Sequence, residues 1–220
     1  LPGSADQQPR MFHQAVNKTG YSGKAYLTID NEVGVYDIIS QYGDASISNK
    51  ITVLSTIDAG DSSGEYLKSS VGAAFLNSSG KAVKSKSVKF IIEGKEFVAT
   101  TDAYGYATAA IDLTPGTYYV EVYNTESGEK KQIKLTISKA TSTTDLSISQ
   151  NDTEVTLTAT LTPEAATGNV TFNVASKKYA ATLKNGKASV TISGLDFGSY
   201  KVSASYLGDE NVLSSTSNSV

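Results

Sequence analysis

The sequence predicts an all-β protein built from tandem antiparallel β-sandwiches that are joined by short linkers. Three observations support this prediction: short segments of alternating apolar and polar residues, turn residues between those segments, and a motif that returns at a constant interval. The motif is Gly-x-Tyr, and it occurs at Gly34/Tyr36, Gly116/Tyr118 and Gly198/Tyr200, spaced by 82 residues each time. One motif at one interval indicates a structural unit repeated in tandem.

The strand prediction is clearest in residues 153–162, where every second residue is apolar and threonines stand between. A side-chain period of two with one apolar face is typical of a half-buried antiparallel strand. Two hairpins are also predicted, one around Gly94-Lys95 and the other around Ala175-Ser176-Lys177, because each turn separates two apolar runs. No segment shows a convincing helical period.

Each Gly-x-Tyr motif is predicted to form a corner of a sandwich. Pro115-Gly116 favours a tight turn, because proline fixes φ and glycine accepts a positive φ. Tyr118 then begins the next strand, with its ring buried and its hydroxyl within reach of a backbone carbonyl. We expect the same of the other two motifs, so the tyrosines are interpreted as structural rather than as ligand contacts.

The repeat spacing predicts the domain boundaries. Residues 1–57 form a partial repeat that lacks its early strands, 58–65 a flexible linker, and 66–139 and 140–220 two sandwiches, the last with a shortened final strand. The short stretch 138–144 should allow little freedom between the two sandwiches. We expect a fragment of a longer protein whose first repeat docks on the second or recruits residues 1–10 as a substitute strand.

Composition restricts the functional classes. The formal net charge is −3, so we expect no nucleic-acid binding, which needs a concentrated basic face. The absence of cysteine excludes disulfides and thiolate metal sites. No apolar run is long enough to span a membrane, so no membrane insertion is expected in this segment.

Candidate sites are few. Asp58, Asp61 and Glu65 could offer oxygen ligands to calcium, although solvated linker acids are the alternative and the spacing matches no EF-hand. We predict no other cofactor and no catalytic residues, and His13, the single histidine, is interpreted as a surface residue. Tyr104 could stack on a sugar ring or pack under its own loop, as could Tyr106. Four sequons offer glycosylation sites at Asn17, Asn77, Asn151 and Asn169.

The second repeat resembles a known pattern. Asp102-Ala103-Tyr104-Gly105 followed by Thr114-Pro115-Gly116-Thr117-Tyr118 is similar to the Asp-x-x-Gly … Leu-x-Pro-Gly-Thr-Tyr pattern of prokaryotic Ig-like repeats. The third repeat is closer still, with Gly198-Ser199-Tyr200 and Tyr206-Leu207-Gly208-Asp209. The chain thus resembles the tandem bacterial and archaeal Ig-like domains of adhesin-like cell-surface proteins, over residues 66–220 and more loosely over 11–57.

The resemblance implies a non-enzymatic, extracellular segment of a surface protein. It would act as a stalk or spacer and in cell adhesion, as a monomer whose partner is an unknown surface glycan or protein of another cell. Two alternatives stay open: a carbohydrate- or protein-binding module, and accessory domains of a cell-wall-associated enzyme. A related pilin fold carries a Lys–Asn isopeptide bond that needs a buried acid six residues after the glycine. We expect no such crosslink, because those positions are Ser40, Val122 and Ala204.

Overall fold

In the computed structural model, the structure describes residues 24, 26, 33–151 and 154–219. The regular secondary structure in these residues consists of β-strands alone, so the all-β prediction is confirmed. Contacts divide the chain into two compact units, residues 1–55 and 56–220. Within the described part of the chain, no helix has the length and apolarity that a membrane crossing demands.

Residues 34–53 of the first unit form an antiparallel hairpin. Strand β1 (Gly34–Tyr42) pairs along its whole length with β2 (Ala45–Val53). Tyr36 is half-buried on one face of the hairpin, whereas Ile39 is exposed on the other. The prediction that residues 1–10 supply a substitute strand falls outside the described residues.

Residues 56–138 form a two-sheet sandwich, called sandwich I. Its strands are β3 (Ile57–Asp58), β4 (Ser62–Glu65), β5 (Ser70–Phe75), β6 (Ser87–Ile92), β7 (Lys95–Thr100), β8 (Tyr106–Ala110), β9 (Gly116–Tyr123) and β10 (Lys130–Ser138). One sheet has the order β4-β10-β9-β6-β7, and the other has the order β3-β5-β8. Phe75 and Phe90 face each other from the two sheets with ring centroids 6.3 Å apart, which locates the core between them.

The residues from 139 onward form a second sandwich, called sandwich II. Its strands are β11 (Thr143–Asn151), β12 (Glu154–Thr162), β13 (Asn169–Val174), β14 (Lys177–Thr182), β15 (Lys187–Ser193), β16 (Val202–Tyr206) and β17 (Ser215–Thr216). The sheets have the orders β11-β12-β15 and β14-β13-β16-β17. Leu157, Ala159 and Leu161 of β12 are buried in the core, so the predicted alternation of this strand is confirmed.

Both predicted hairpins are present, as β6–β7 and β13–β14. The first turn uses Glu93 and Gly94 at φ +50° and +81°, and two successive positive φ values suit a two-residue hairpin turn. Lys95 and Lys177 were predicted to lie in the turns but begin β7 and β14. The turns are therefore shorter than the sequence suggested.

The structure corrects the predicted flexible linker at 58–65. Ile57 is buried in the core of sandwich I and Asp58 belongs to β3, while Ser62–Glu65 is the strand β4. The compact unit accordingly begins at Thr56 rather than at residue 66. The Gly- and Ser-rich composition resembles a linker, but hydrogen bonds to β10 order this segment as an edge strand.

Candidate functional site

An early strand of sandwich I, β4, and its last strand, β10, are joined as a parallel pair, called the strand clamp. Four residues of β4 pair with the end of β10, from Ser62 with Leu135 to Glu65 with Ser138. The Tyr66 N–H then donates to the Ser138 carbonyl over 2.9 Å. Because the strands are parallel and lie at opposite ends of the domain sequence, pulling the ends apart would slide one strand along the other. Such sliding loads the interstrand hydrogen bonds together rather than one by one.

Gly64 allows the clamp strand to lie close to the chain that follows it. A Cβ at Gly64 would stand 2.9 Å from the Ser69 Cα and 2.8 Å from its Oγ. Ser69 is itself buried, and its hydroxyl donates to the Glu65 carbonyl over 2.8 Å. Space rather than backbone conformation therefore requires glycine at this position.

The three calcium candidates occupy separate positions around the clamp. Asp61 accepts the backbone N–H of Lys134 over 2.8 Å, and Glu65 accepts that of Thr141 over 3.0 Å. Asp58 lies exposed on β3. In the part of the chain that the structure describes, no three His, Cys, Asp or Glu residues group in a way that could hold a metal ion.

Glu65 connects the clamp to sandwich II. The hydrogen bond from the Thr141 N–H is the main reason that the pKa of Glu65 lies below its ordinary value, and Lys68 Nζ, 3.5 Å away, adds to the effect. Tyr66, the next residue, is half-buried and packs against the cores of both sandwiches. The two sandwiches are therefore in direct contact at this point.

The joint consists of residues 139–142, which lead from β10 into β11. Ala140 is buried; its N–H donates to the Asn211 carbonyl over 2.9 Å, and its carbonyl accepts the Leu213 N–H over 2.8 Å. Lys139 Nζ donates to the Asp209 carbonyl over 2.6 Å. The joint is thus hydrogen-bonded to sandwich II from its first residue, so no unbound linker residue separates the two sandwiches.

The terminal strands of sandwich II are joined more sparsely. One parallel bridge connects Ala140 with Val212. Side chains supply further bonds: the Ser142 hydroxyl donates to the Leu213 carbonyl over 2.7 Å, and the hydroxyls of Thr144 and Ser215 lie 2.7 Å apart. Sandwich II therefore has a weaker counterpart of the strand clamp.

Asn124, which sequence reasoning missed, fixes the start of sandwich I. Its side chain is fully buried, and its amide donates to the Thr56 hydroxyl over 3.0 Å and to the Leu76 carbonyl over 2.8 Å. The Thr56 N–H and hydroxyl both donate to Glu129, over 2.6 and 2.7 Å. The buried role of Asn124 has little local signal, because an asparagine before Thr-Glu-Ser-Gly resembles any solvated turn.

Asp209 orders the turn beside the joint. Its carboxylate accepts the backbone N–H groups of Thr167, Asn211 and Val212 over 2.7–2.8 Å. Partial burial alone would raise the pKa of Asp209, but these hydrogen bonds outweigh burial and lower the pKa to about 2. The neighbouring Tyr206 is buried, which raises the pKa of its hydroxyl to about 12.

The second and third Gly-x-Tyr motifs form corners in which the tyrosine hydroxyl donates to a backbone carbonyl four residues earlier. The Tyr118 hydroxyl donates to the Thr114 carbonyl over 2.8 Å, and the Tyr200 hydroxyl to the Asp196 carbonyl over 2.9 Å. A Cβ at Gly116 would stand 3.3 Å from the Tyr118 ring, at Gly198 3.9 Å from the Tyr200 ring, and at Gly34 3.3 Å from the Tyr36 hydroxyl. The three rings are half-buried rather than buried, because they lie across turns at the sheet ends.

The sequons differ in accessibility. Asn77 is half-buried, and its side-chain oxygen accepts the N–H groups of Ser79 and Lys81 over 3.0 Å. Asn151 and Asn169 are exposed. Asn17, like His13, lies outside the described residues.

The structure also describes the three positions at which the related pilin fold would need a buried acid for its crosslink. Val122 and Ala204 are fully buried, and Ser40 is exposed. Glu121 lies on the opposite face of β9, where its carboxylate is 2.9 Å from Lys130 Nζ and raises the pKa of that lysine. Glu121, the acidic residue near the motif, thus forms a surface ion pair and does not lie on the core face.

Two-sheet sandwiches with tyrosine corners are characteristic of immunoglobulin-like modules. Consistent with this architecture, the family model of the bacterial Ig-like domain (group 3) matches residues 135–220. The Ig-like resemblance is therefore confirmed for sandwich II. A search of curated proteins found no match.

Several solved structures are similar to the chain. A 1.5-MDa bacterial ice-binding adhesin is 16% identical, over 73% of this chain and 62% of that one, with a TM-score of 0.30. A Ca²⁺-stabilised adhesin of an Antarctic bacterium is 16% identical over 84% and 55%, with a TM-score of 0.31. The Bacteroides ovatus glucan-utilisation protein SGBP-B, solved with a mixed-linkage heptasaccharide, is 10% identical over 89% and 57%, with a TM-score of 0.28. The chain spans 55% to 62% of the length of these three solved chains.

Proposed function

We propose that the chain is a non-enzymatic spacer that resists tension in an adhesin-like cell-surface protein. The observation that supports this role is the strand clamp, in which β4, near the start of sandwich I, is the parallel partner of its last strand, β10. Tension between the ends of the sandwich would run along these strands and load their hydrogen bonds in shear.

Further support comes from the path that tension would follow. Thr56 is held by Asn124 and Glu129 where the chain enters sandwich I. Tension would then pass through the clamp into the joint, where Ala140 is buried in sandwich II. A spacer without slack at its joints keeps a distal region at a fixed distance.

The proposal includes a position outside the cell and a partner on another cell, either a glycan or a protein. What supports the position is the match of residues 135–220 to a bacterial Ig-like domain. We propose a monomer, since a spacer of this kind requires no second copy.

The test is single-molecule pulling in two directions. The chain lacks cysteine, so Ser87→Cys with Thr100→Cys gives a unique pair of handles that face each other across the open end of the β6–β7 hairpin. Pulling the wild-type chain by its ends should give a discrete unfolding peak for sandwich I. Pulling across the hairpin should need less force, because its hydrogen bonds break one after another. No peak from the ends, or equal forces in both directions, would contradict the proposal.

A further inference from the structure

One outer face of sandwich I consists mainly of small, uncharged residues, with the exposed Asp58 of β3 at its margin. In the sheet β3-β5-β8, side chains that alternate away from the core come from Ser70, Gly72 and Ala74 of β5 and from Tyr106, Thr108 and Ala110 of β8. None of these six residues is charged. Tyr106 is the one large side chain among them, and 48% of it is exposed. These six residues are called the tyrosine shelf.

Tyr106 lies across the sheet rather than standing away from it. A Cβ at Gly72 would collide with the Tyr106 Oη and stand 2.8 Å from its Cζ, so the hydroxyl end of the ring covers Gly72 on the neighbouring strand. The hydroxyl end of the ring thus covers the glycine, while about half of the Tyr106 side chain remains exposed to solvent as aromatic surface.

The turn before β8 holds a second exposed tyrosine in place. Asp102 Oδ1 accepts the backbone N–H groups of Tyr104 and Tyr106 over 2.8 and 2.9 Å. Gly105, between them, has φ +82°, and a Cβ there would be 2.7 Å from the Phe75 carbonyl oxygen. Tyr104 is 85% exposed. Both tyrosine backbones are thus ordered in advance, which lowers the entropic cost of binding a ligand.

The equivalent face of sandwich II shows that the fold does not require an aromatic shelf. The paired residues Ala159 and Ala188 correspond to Ala73 and Ala107, so Thr158 stands where Gly72 is, and Lys187 where Tyr106 is. That face carries a hydroxyl ladder. Its Thr156–Thr191 and Thr158–Ser189 hydroxyl pairs are 3.0 and 2.9 Å apart. Its hydroxyls bond to one another, and it has no aromatic ring.

We infer that the tyrosine shelf binds a neutral saccharide chain. The apolar C–H face of a sugar ring matches an exposed aromatic face, and its hydroxyls need polar partners nearby. Such partners stand at the margin: Asp58 is exposed and pairs with Ala74, and Thr108 lies beside Gly72. A charged polymer would find no opposite charge among the shelf residues themselves. Neutral sugar units match both the exposed aromatic side chain and the lack of charge among the shelf residues.

The experiment is titration of the ¹⁵N-labelled 220-residue chain with neutral gluco-, xylo-, manno- and galacto-hexasaccharides, followed by NMR. At least one sugar should shift the amide signals of Tyr104, Tyr106 and Thr108 and leave those of Lys187 and Ser189 in place. Tyr106→Ala should weaken the association constant by about three- to tenfold, the range of one aromatic contact. Tyr106→Phe keeps the ring and should stay within about twofold.

Controls separate binding from folding. Tyr104→Ala changes an exposed turn residue and should also weaken binding without altering the remaining amide spectrum. Tyr119→Ala removes a tyrosine that is 65% exposed on the other sheet and should change nothing. The inference is overturned if no hexasaccharide shifts the shelf signals at millimolar concentration, or if Tyr119→Ala weakens binding as much as Tyr106→Ala. None of these outcomes depends on the strand clamp, so they do not test the spacer proposal.

Discussion

The two sandwiches share the corner tyrosine and one hairpin, β6–β7 in the first and β13–β14 in the second, but the beginning and the end of each sandwich are joined differently. In sandwich I, four residue pairs hold β4 against β10. In sandwich II, one parallel bridge between Ala140 and Val212 is supplemented by hydroxyl contacts. When two paired strands are pulled past each other, all their hydrogen bonds share the load. Sandwich I, with four paired residues, should therefore resist tension better than sandwich II. The repeat period therefore describes the common fold, while we expect mechanical strength to depend on edge strands outside the motif.

The outer faces differ in the same way. Sandwich I presents Tyr106 over Gly72, and sandwich II presents hydrogen-bonded hydroxyls at the corresponding positions. The core residues beneath both faces follow one pattern, with Ala73 and Ala159 equally buried. Function can therefore diverge between copies of a repeat through residues that do not contribute to the core.

The largest effect is expected from Asn124→Ala. The variant leaves the Thr56 hydroxyl and the Leu76 carbonyl without their buried donor, so sandwich I should lose about 2–4 kcal/mol of its free energy of unfolding. Asn173→Ala in sandwich II removes only contacts of 3.3 and 3.5 Å and serves as the matched control. Hydrogen exchange would measure the free energy of unfolding of each sandwich separately. Equal losses in the two variants would show that Asn124 does not anchor sandwich I.

Gly64→Ala should have the next largest effect. The new methyl group would collide with Ser69 and push β4 from the clamp, at a cost of about 1–3 kcal/mol in the free energy of unfolding of sandwich I. Gly60→Ala is the control, since a Cβ there meets nothing within 4 Å. Chemical denaturation followed by NMR would show which sandwich changes. An unchanged sandwich I would mean that the clamp tolerates the displacement.

Asp209 should make sandwich II the more acid-sensitive of the two. Because the pKa of Asp209 is lowered from 3.8 to about 2 in the folded state, its contribution to stability is present above pH 4 and is lost as the pH falls toward 2. The shift corresponds to about 1–2 kcal/mol after allowance for solvent screening. Asp209→Asn should remove this pH-dependent component of the free energy of unfolding. If the variant keeps the wild-type slope between pH 4 and 2, another group is responsible.

Glu65→Ala should have the smallest effect on stability but should loosen the joint. The variant removes the acceptor of the Thr141 N–H, so the relative orientation of sandwiches I and II should spread. Glu96→Ala, which removes a surface ion pair with Lys89 on the same sheet, is the control. Residual dipolar couplings measure the orientation. A spread that is the same in both variants would assign no role to Glu65.

The sequence was sufficient for features that arise locally. Alternation in 153–162 and the turn residues near Gly94 and Ala175 correctly predicted a strand and two hairpins, because side-chain period and turn conformation depend on neighbouring residues. The strand at 62–65 was missed, since Ser-Ser-Gly-Glu has no apolar alternation and is ordered only by β10. Likewise, Tyr106 was noticed as a candidate, but its position over Gly72 depends on pairing between strands distant in the sequence.

We expect the strand clamp to make sandwich I mechanically stronger than sandwich II. Pulling the full chain by its ends in a single-molecule experiment tests it directly, with Asn124→Ala identifying the peak that belongs to sandwich I. We predict that sandwich II unfolds first and that sandwich I unfolds last and at the higher force. If sandwich I unfolds first, or if the two peaks have equal force, the strand clamp does not make sandwich I the stronger sandwich.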